Sequence, residues 1–196
     1  IYRKLDDNGL SVINLVTPKL NVKRLIYKIP DIANKLIGVD NVNAESFLFQ
    51  IRNLKPDLII VAGFSQILKD NILEIPKLGI LNLHAGTLPE YRGGSPLNWQ
   101  LINGEEKAGV SIIKLDKGID TGRIVGQAYF KIEESDNIND LHRKANLLFP
   151  GLTIKAIEKL LKGEEGEKQI ESKAVYWHQR NDDDGYIDFR GKSAIQ

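Results

Sequence analysis

Cysteine and methionine are absent from the 196 residues, histidine occurs three times, and neither sign of charge dominates: 27 Lys and Arg face 26 Asp and Glu, for a formal net charge of +1. Without cysteine there are no disulfides and no thiolate metal sites, and three histidines do not suggest a structural zinc, so no metal is expected. The balanced charge disfavours a protein built to neutralise phosphates along nucleic acid. No apolar run reaches bilayer-spanning length. The expected partner is therefore a small molecule rather than nucleic acid or a membrane, and a cytoplasmic location is compatible with the missing cysteines. With no Met at its start, the chain is expected to lack part of the natural N-terminus, and a leader cannot be judged.

What is present reads as a folded domain: 42% of residues are hydrophobic and 27% charged, ordinary for a chain with a packed core. Tyr2 to Asn8 reads as the end of a helix closed by Gly9, and Leu10 to Val16 as a strand ending at Thr17-Pro18. Lys19 to Asn43 reads as loop or short helix, its scattered Lys19, Lys23, Arg24, Lys28 and Lys35 forming a solvated face. Ala44 to Leu54 has helical spacing. Pro56 to Ala62 is a near-continuous apolar run, the mark of a parallel strand covered on both faces.

The most informative stretch is Gly79 to Trp99. Ile80, Leu81 and Leu83 make a strand in which Asn82 and His84, two residues apart, share a face. The strand stops at Ala85-Gly86, which places an amide and an imidazole at a strand end, where open parallel sheets hold ligands. A loop with Pro89, Tyr91, Arg92, Gly93 and Gly94 follows. Ser95 is a suitable N-cap and Pro96 a suitable first residue for a helix to about Ile102, stopped by Asn103-Gly104. Val110 to Leu115 reads as the next strand, and the turn after it, Asp116 to Gly122, carries Asp120, a carboxylate able to orient His84. Ile124 to Ile132 is a further strand. Asn139 is a candidate cap for a helix with an apolar face ending near Gly163, which Pro150 should kink or interrupt. His142 and His178 read as surface residues. Gly163 to Lys168 is a charged linker.

Asn82-Leu-His84, Leu88-Pro89, Tyr91-Arg-Gly93, Pro96-Leu-Asn-Trp99, Asn103-Gly104, Gly109-Val110 and Gly118-Ile-Asp120-Thr-Gly122 resemble, in order and spacing, the formyltransferases that use N10-formyltetrahydrofolate. The run Tyr91 to Gln100 is most similar to the sugar-nucleotide N-formyltransferases. The resemblance is dense over about Pro56 to Ile132 and looser elsewhere. It implies an α/β fold with a doubly wound, mainly parallel, Rossmann-like sheet, a catalytic domain over 1–163 with one strand before Ile1, and a linker and short C-terminal tail over 164–196. Ala174 to Phe189 resembles the segment by which this family leaves its catalytic domain.

The resemblance also implies roles. Asn82, His84 and Asp120 would be catalytic, Asn82 donating to the oxyanion of a tetrahedral intermediate while His84 takes the ammonium proton or itself donates. Phe64, Ser65, Gln66, Ile67, Leu88, Asp116, Gly118 and Ile119 would line the site of the co-substrate N10-formyltetrahydrofolate, although Phe64 and Ile67 read equally as core residues. Tyr91, Arg92 and Trp99 would meet a nucleotide-linked amino-dideoxy sugar, with a 4-amino-4,6-dideoxyhexose for surface-glycan synthesis as the expected acceptor. Initiator tRNA, glycinamide ribonucleotide and a catalytically silent folate or nucleotide sensor are the alternatives. For tRNA the resemblance implies a basic second domain beyond the linker. A homodimer is compatible with the family.

Overall fold

The side chains of Ile80, Leu81, Asn82, Leu83 and His84 alternate between two layers, and the molecule is organised by that division. The computed structural model describes residues 2–28 and 30–185. The strand Ile80–His84 (β4, the fourth in the chain) pairs in parallel with Ile59–Ala62 (β3) and antiparallel with Lys107–Lys114 (β6), which pairs antiparallel with Arg123–Lys131 (β7). A second parallel pair joins Leu15–Pro18 (β1) to Leu36–Val39 (β2). The chain thus has a mixed α/β, Rossmann-like architecture, parallel where helical crossovers connect strands. It turns antiparallel at β6 and β7, whose connection is only the turn 115–122.

Both faces of the central sheet are covered. On one, Leu81 and Leu83 join Val110, Ile112 and Val125 beneath the long helix Ile138–Leu161 (α6), with Leu5 of Tyr2–Asp7 (α1) and Leu97 of Pro96–Ile102 (α5). On the other, Ile80 packs with Phe47, Leu48 and Ile51 of Glu45–Leu54 (α3) and with Ile72 of Asp70–Leu73 (α4). Asn82 and His84 share the parity of Ile80 but lie farther along the strand, so they reach the end of that layer.

Several elements differ from the sequence reading. The first strand is Leu15–Pro18 rather than 10–16. Its partner β2 offers four residues, and Leu10 and Val12 pack on the main core from an irregular segment. Residues 19–43 contain the helix Val22–Lys28 (α2) and the strand β2, whose short apolar run Leu36–Val39 carries no turn signal strong enough to mark it. The strand β3 meets both layers, with Ile60 against the main core and Ile59 and Val61 against the second, but it is only partly buried because it is the last strand of its sheet among the described residues. Ser95 does not cap α5: its backbone is left-handed (φ 47°), and its hydroxyl accepts from Gln179 Nε2 and Arg180 N.

Asn137, not Asn139, caps α6. Its side chain accepts from Asn139 N at 2.9 Å while Asp140 reaches back to Asn137 N at 3.1 Å, a reciprocal capping box. Pro150 does not interrupt this helix, which runs unbroken over 24 residues. An internal proline costs about 3 kcal/mol. Burial of Leu141, Phe149, Ile154, Ile157 and Leu160 against the sheet, at roughly 1.5–3 kcal/mol per large side chain, outweighs it. Asn137→Ala should lower stability by about 1 kcal/mol, whereas Asn139→Ala should be nearly neutral. Urea-unfolding midpoints of the two variants check this, and equal effects would contradict the assignment of the cap.

Candidate active site

The end of β4 meets the turn 115–122 from the side, and the structure brings Asn82, His84 and Asp120 together there. Asn82 Nδ2 lies 3.4 Å from Asp120 Oδ1, and His84 Nδ1 lies 3.6 Å from Asp120 Oδ2. His84 and Asp120 are both largely buried, with side-chain exposures of 6% and 12%. His84 Nε2 faces the Tyr91 carbonyl at 2.5 Å. A carbonyl only accepts, so Nε2 carries a hydrogen, and in the neutral ring Nδ1 presents its lone pair toward Asp120. Asp120 is itself in the left-handed region (φ 54°) and takes a 2.9 Å hydrogen bond from Gly93 N to Oδ2.

The loop between β4 and α5 is held by buried polar groups. Ser111 Oγ donates to Gly86 O and accepts from Leu88 N, and Gln127 Nε2 donates to Leu88 O and Ser111 Oγ. Gln100, fully buried on α5, accepts from Thr87 Oγ1 and Gly109 N. These contacts fix the loop that supplies the Tyr91 carbonyl and the Gly93 amide.

Tyr91, Arg92 and Trp99, expected to meet an acceptor, are instead committed to the protein. Tyr91 is buried and its hydroxyl donates to Glu105 at 2.5 Å; burial first, then that hydrogen bond, push its pKa up to about 12. Arg92 is fully buried. Its guanidinium donates to both carboxylate oxygens of Glu171 (2.6 and 3.0 Å), to Tyr176 Oη (2.8 Å) and to Gln169 Oε1 (3.0 Å). Trp99 stacks on Trp177 at 4.9 Å and donates to His178 O. The physical reason is the C-terminal segment, which lies across the loop: Arg92–Gly93 (β5) pairs with Tyr176–Trp177 (β8). The two glycines permit this approach, since a Cβ on Gly93 would stand 2.2 Å from Trp177 O and one on Gly94 2.4 Å from the Gln179 Cα. That Gly-Gly pair was the available signal for a strand crossing the loop. Residues 186–189 of the expected exit segment lie outside the described residues.

A profile of the formyl transferase family matches residues 12–157. The chain belongs to the formyl transferase family. It is 36% identical to a methionyl-tRNA formyltransferase of Halothermothrix orenii over 173 residues, which cover 88% of this chain and 54% of that protein. It is 39% identical to the bifunctional polymyxin resistance protein ArnA of Wigglesworthia glossinidia brevipalpis over 190 residues, covering 96% and 28%. A sugar N-formyltransferase from Shewanella sp. FDAARGOS_354 shares the fold with a TM-score of 0.71 at 20% identity, over 90% of this chain and 70% of that one. The chain spans about half the length of the methionyl-tRNA formyltransferases it matches.

In this member of the formyl transferase family the residues expected at a folate site are distributed as follows. The pairing of Ala62 with Leu83 makes 63–68 leave the sheet level with His84. Phe64 packs on the α3 layer, Ser65 is exposed, and Ile67 is 74% exposed. The Gln66 amide is occupied, accepting from Val42 N and donating to Asp40 O. Leu88 is buried. Asp116 accepts from Gly118 N and Thr121 Oγ1, which shapes the turn, and Ile119 is 56% exposed. A recess of about 300 Å³ lined by Lys114, Leu115, Asp116, Arg123 and Glu165 opens beside the turn. Among the described residues no group of His, Asp or Glu is arranged to hold a metal ion, and no helix is long and apolar enough to cross a membrane.

Sequence reasoning missed Gln169 and Glu171, since nothing in the polar stretch just after the charged linker marks a residue that turns back to the site. Hydrogen bonds from Arg92 hold the Glu171 carboxyl below its ordinary value of 4.5. A lowered folded-state pKa contributes stability that is complete above the ordinary value and lost as pH falls through the lowered one. Docking of the C-terminal segment should therefore weaken below pH 4.5. The stacked Trp99–Trp177 pair holds both tryptophans of the chain, so near-ultraviolet circular dichroism reports it. Glu171→Gln should show a reduced signal at neutral pH and a flatter acid dependence; identical acid profiles would contradict this.

Proposed function

We propose that the chain transfers the formyl group of N10-formyltetrahydrofolate to an amine, and that Asn82, His84 and Asp120 carry the reaction. The observation that supports this most is their convergence at one point, with the His84 tautomer fixed from behind by the Tyr91 carbonyl. The amine attacks the formyl carbon, the new C–N bond forms, and negative charge collects on the formyl oxygen. An amide nitrogen has two hydrogens; one from Asn82 points toward Asp120, and the second is the donor for the oxyanion. The ammonium proton moves to the lone pair of His84 Nδ1, and the imidazolium so formed faces the Asp120 carboxylate. Collapse re-forms the carbonyl and breaks the bond between the formyl carbon and N10 of the folate, and N10 takes up the proton that His84 received, which restores the neutral ring.

The folate is read against the segment 63–68 and the turn 115–122, with the exposed Ile67 and Ile119 as apolar contacts and Asp116 and Gly118 shaping the wall. For the acceptor, a nucleotide-linked amino-dideoxy sugar is the finer proposal. The near-zero net charge of this chain and the likeness of Tyr91–Trp99 to the sugar-nucleotide branch support it. Because Arg92 is buried, it orients the loop rather than pairing with a pyrophosphate. The second reading is an aminoacylated initiator tRNA, favoured by the names of the relatives with 34–40% identity.

Incubation with N10-formyltetrahydrofolate and a panel of amino-sugar nucleotides, followed by mass spectrometry, should show a gain of one formyl group on a 4-amino-4,6-dideoxyhexose nucleotide. Formylation of aminoacylated tRNA with refusal of every sugar would leave the chemistry and overturn the acceptor. Asn82→Ala should lower kcat by about 10²–10³-fold, the cost of one oxyanion donor, with little change in melting temperature. A parallel loss of fold and turnover would mean that Asn82 serves packing instead.

A further inference from the structure

Gln169 lies beyond α6 and outside the segment that the family profile matches, yet it contacts the backbone of Asp120. Its Nε2 donates to Asp120 O and to Gly122 O, both at 2.7 Å, and its Oε1 accepts from Arg92 Nε at 3.0 Å. Both N–H groups and one lone pair of the carbonyl oxygen are thus engaged, so the orientation of the amide is determined. Two carbonyls require two N–H donors and a guanidinium requires an acceptor. A neutral amide supplies both at this reach, whereas a carboxylate supplies only acceptors and an ammonium only donors.

We infer that Gln169 is a positioning residue for formyl transfer, acting through Asp120; this rests on the function proposed above. The left-handed region is uncommon for a residue with a Cβ, and Asp120 is held there (φ 54°). The two Gln169 hydrogen bonds clamp the carbonyls on either side of Thr121, while Gly93 N holds carboxylate Oδ2 from the opposite direction. Since Arg92 and Gly93 are consecutive, Arg92, Gln169, Asp120 and Gly93 close a ring that sets both the backbone and the carboxylate of Asp120. The site is then complete only when the C-terminal segment is docked.

Gln169→Glu separates this role from simple docking. It keeps the size and the acceptor for Arg92 but turns lone pairs toward both carbonyls. The expected result is a fold with the Trp99–Trp177 signal retained, kcat lowered about 10²-fold as for a misplaced catalytic group, and KM for the formyl donor within about threefold. In imidazole NMR the His84 titration should move, while His142 and His178, the other two histidines, should not. Should Gln169→Glu lose the tryptophan signal, Gln169→Leu, which sets no charge against the carbonyls, gives the same reading. Wild-type turnover with an unchanged His84 titration overturns the inference, as does loss of the tryptophan signal together with kcat in both variants. If the wild-type chain formylates no amine, the function proposed above fails, and the His84 titration alone still decides whether Gln169 positions Asp120.

Discussion

A largely buried carboxylate must be surrounded by donors or it costs several kcal/mol, and the placement of Asp120 is the constraint on which the rest of this structure depends. Its strong donor is the Gly93 backbone amide, which requires the loop to be rigid; the Asn82 contact at 3.4 Å is long, and His84 at 3.6 Å is an ion-pair partner only when protonated. The carboxylate therefore retains acceptor capacity toward β4. In the proposed reaction a proton arriving at His84 Nδ1 would complete its environment, so the conjugate acid would be stabilised where it forms.

The loop meets its part of the constraint through layers of contacts. Ser111 and Gln127 on the antiparallel strands hold Leu88, Gln100 holds Thr87, and the Arg92 guanidinium ties the loop to Glu171, Tyr176 and Gln169. Arg92 is fully buried while the Glu171 side chain is 71% exposed, so loss of Glu171 would leave a buried guanidinium short of its compensating charge. Arg92 thus links the C-terminal segment to the point where Asn82, His84 and Asp120 converge. The segment also reaches Asp120 directly, through the hydrogen bond from Gln169 Nε2 to the Asp120 carbonyl.

Much of this was legible in the sequence where local pattern and tertiary environment agree. Ile80 to His84 alternates as a strand must, and its strand-end amide and imidazole could be placed from period alone. The α3 and α5 boundaries followed from apolar spacing and from Pro96. Other features were not legible because their causes are non-local. β2 is a strand only because β1 pairs with it, and Pro150 stays helical because a distant sheet buries its neighbours. Ser95 loses its capping role to backbone and side-chain donors 84 and 85 residues away. Tyr91, Arg92 and Trp99 were expected at an acceptor from the resemblance of their loop, whereas its glycines serve the close approach of a strand. Exposure is decided by what packs on a segment, and here the partner lies 84 residues farther along the chain.

The most direct test of the central claim is the single-turnover rate of formyl transfer by Asp120→Asn. The amide keeps an acceptor oxygen for Gly93 N and nearly the same shape, but removes the charge opposite His84. A fall of about 10³–10⁴-fold, with near-ultraviolet dichroism and melting temperature close to wild type, is the predicted result. A rate within about threefold of wild type would contradict the account, because the carboxylate charge would then have no part in stabilising the proton on His84.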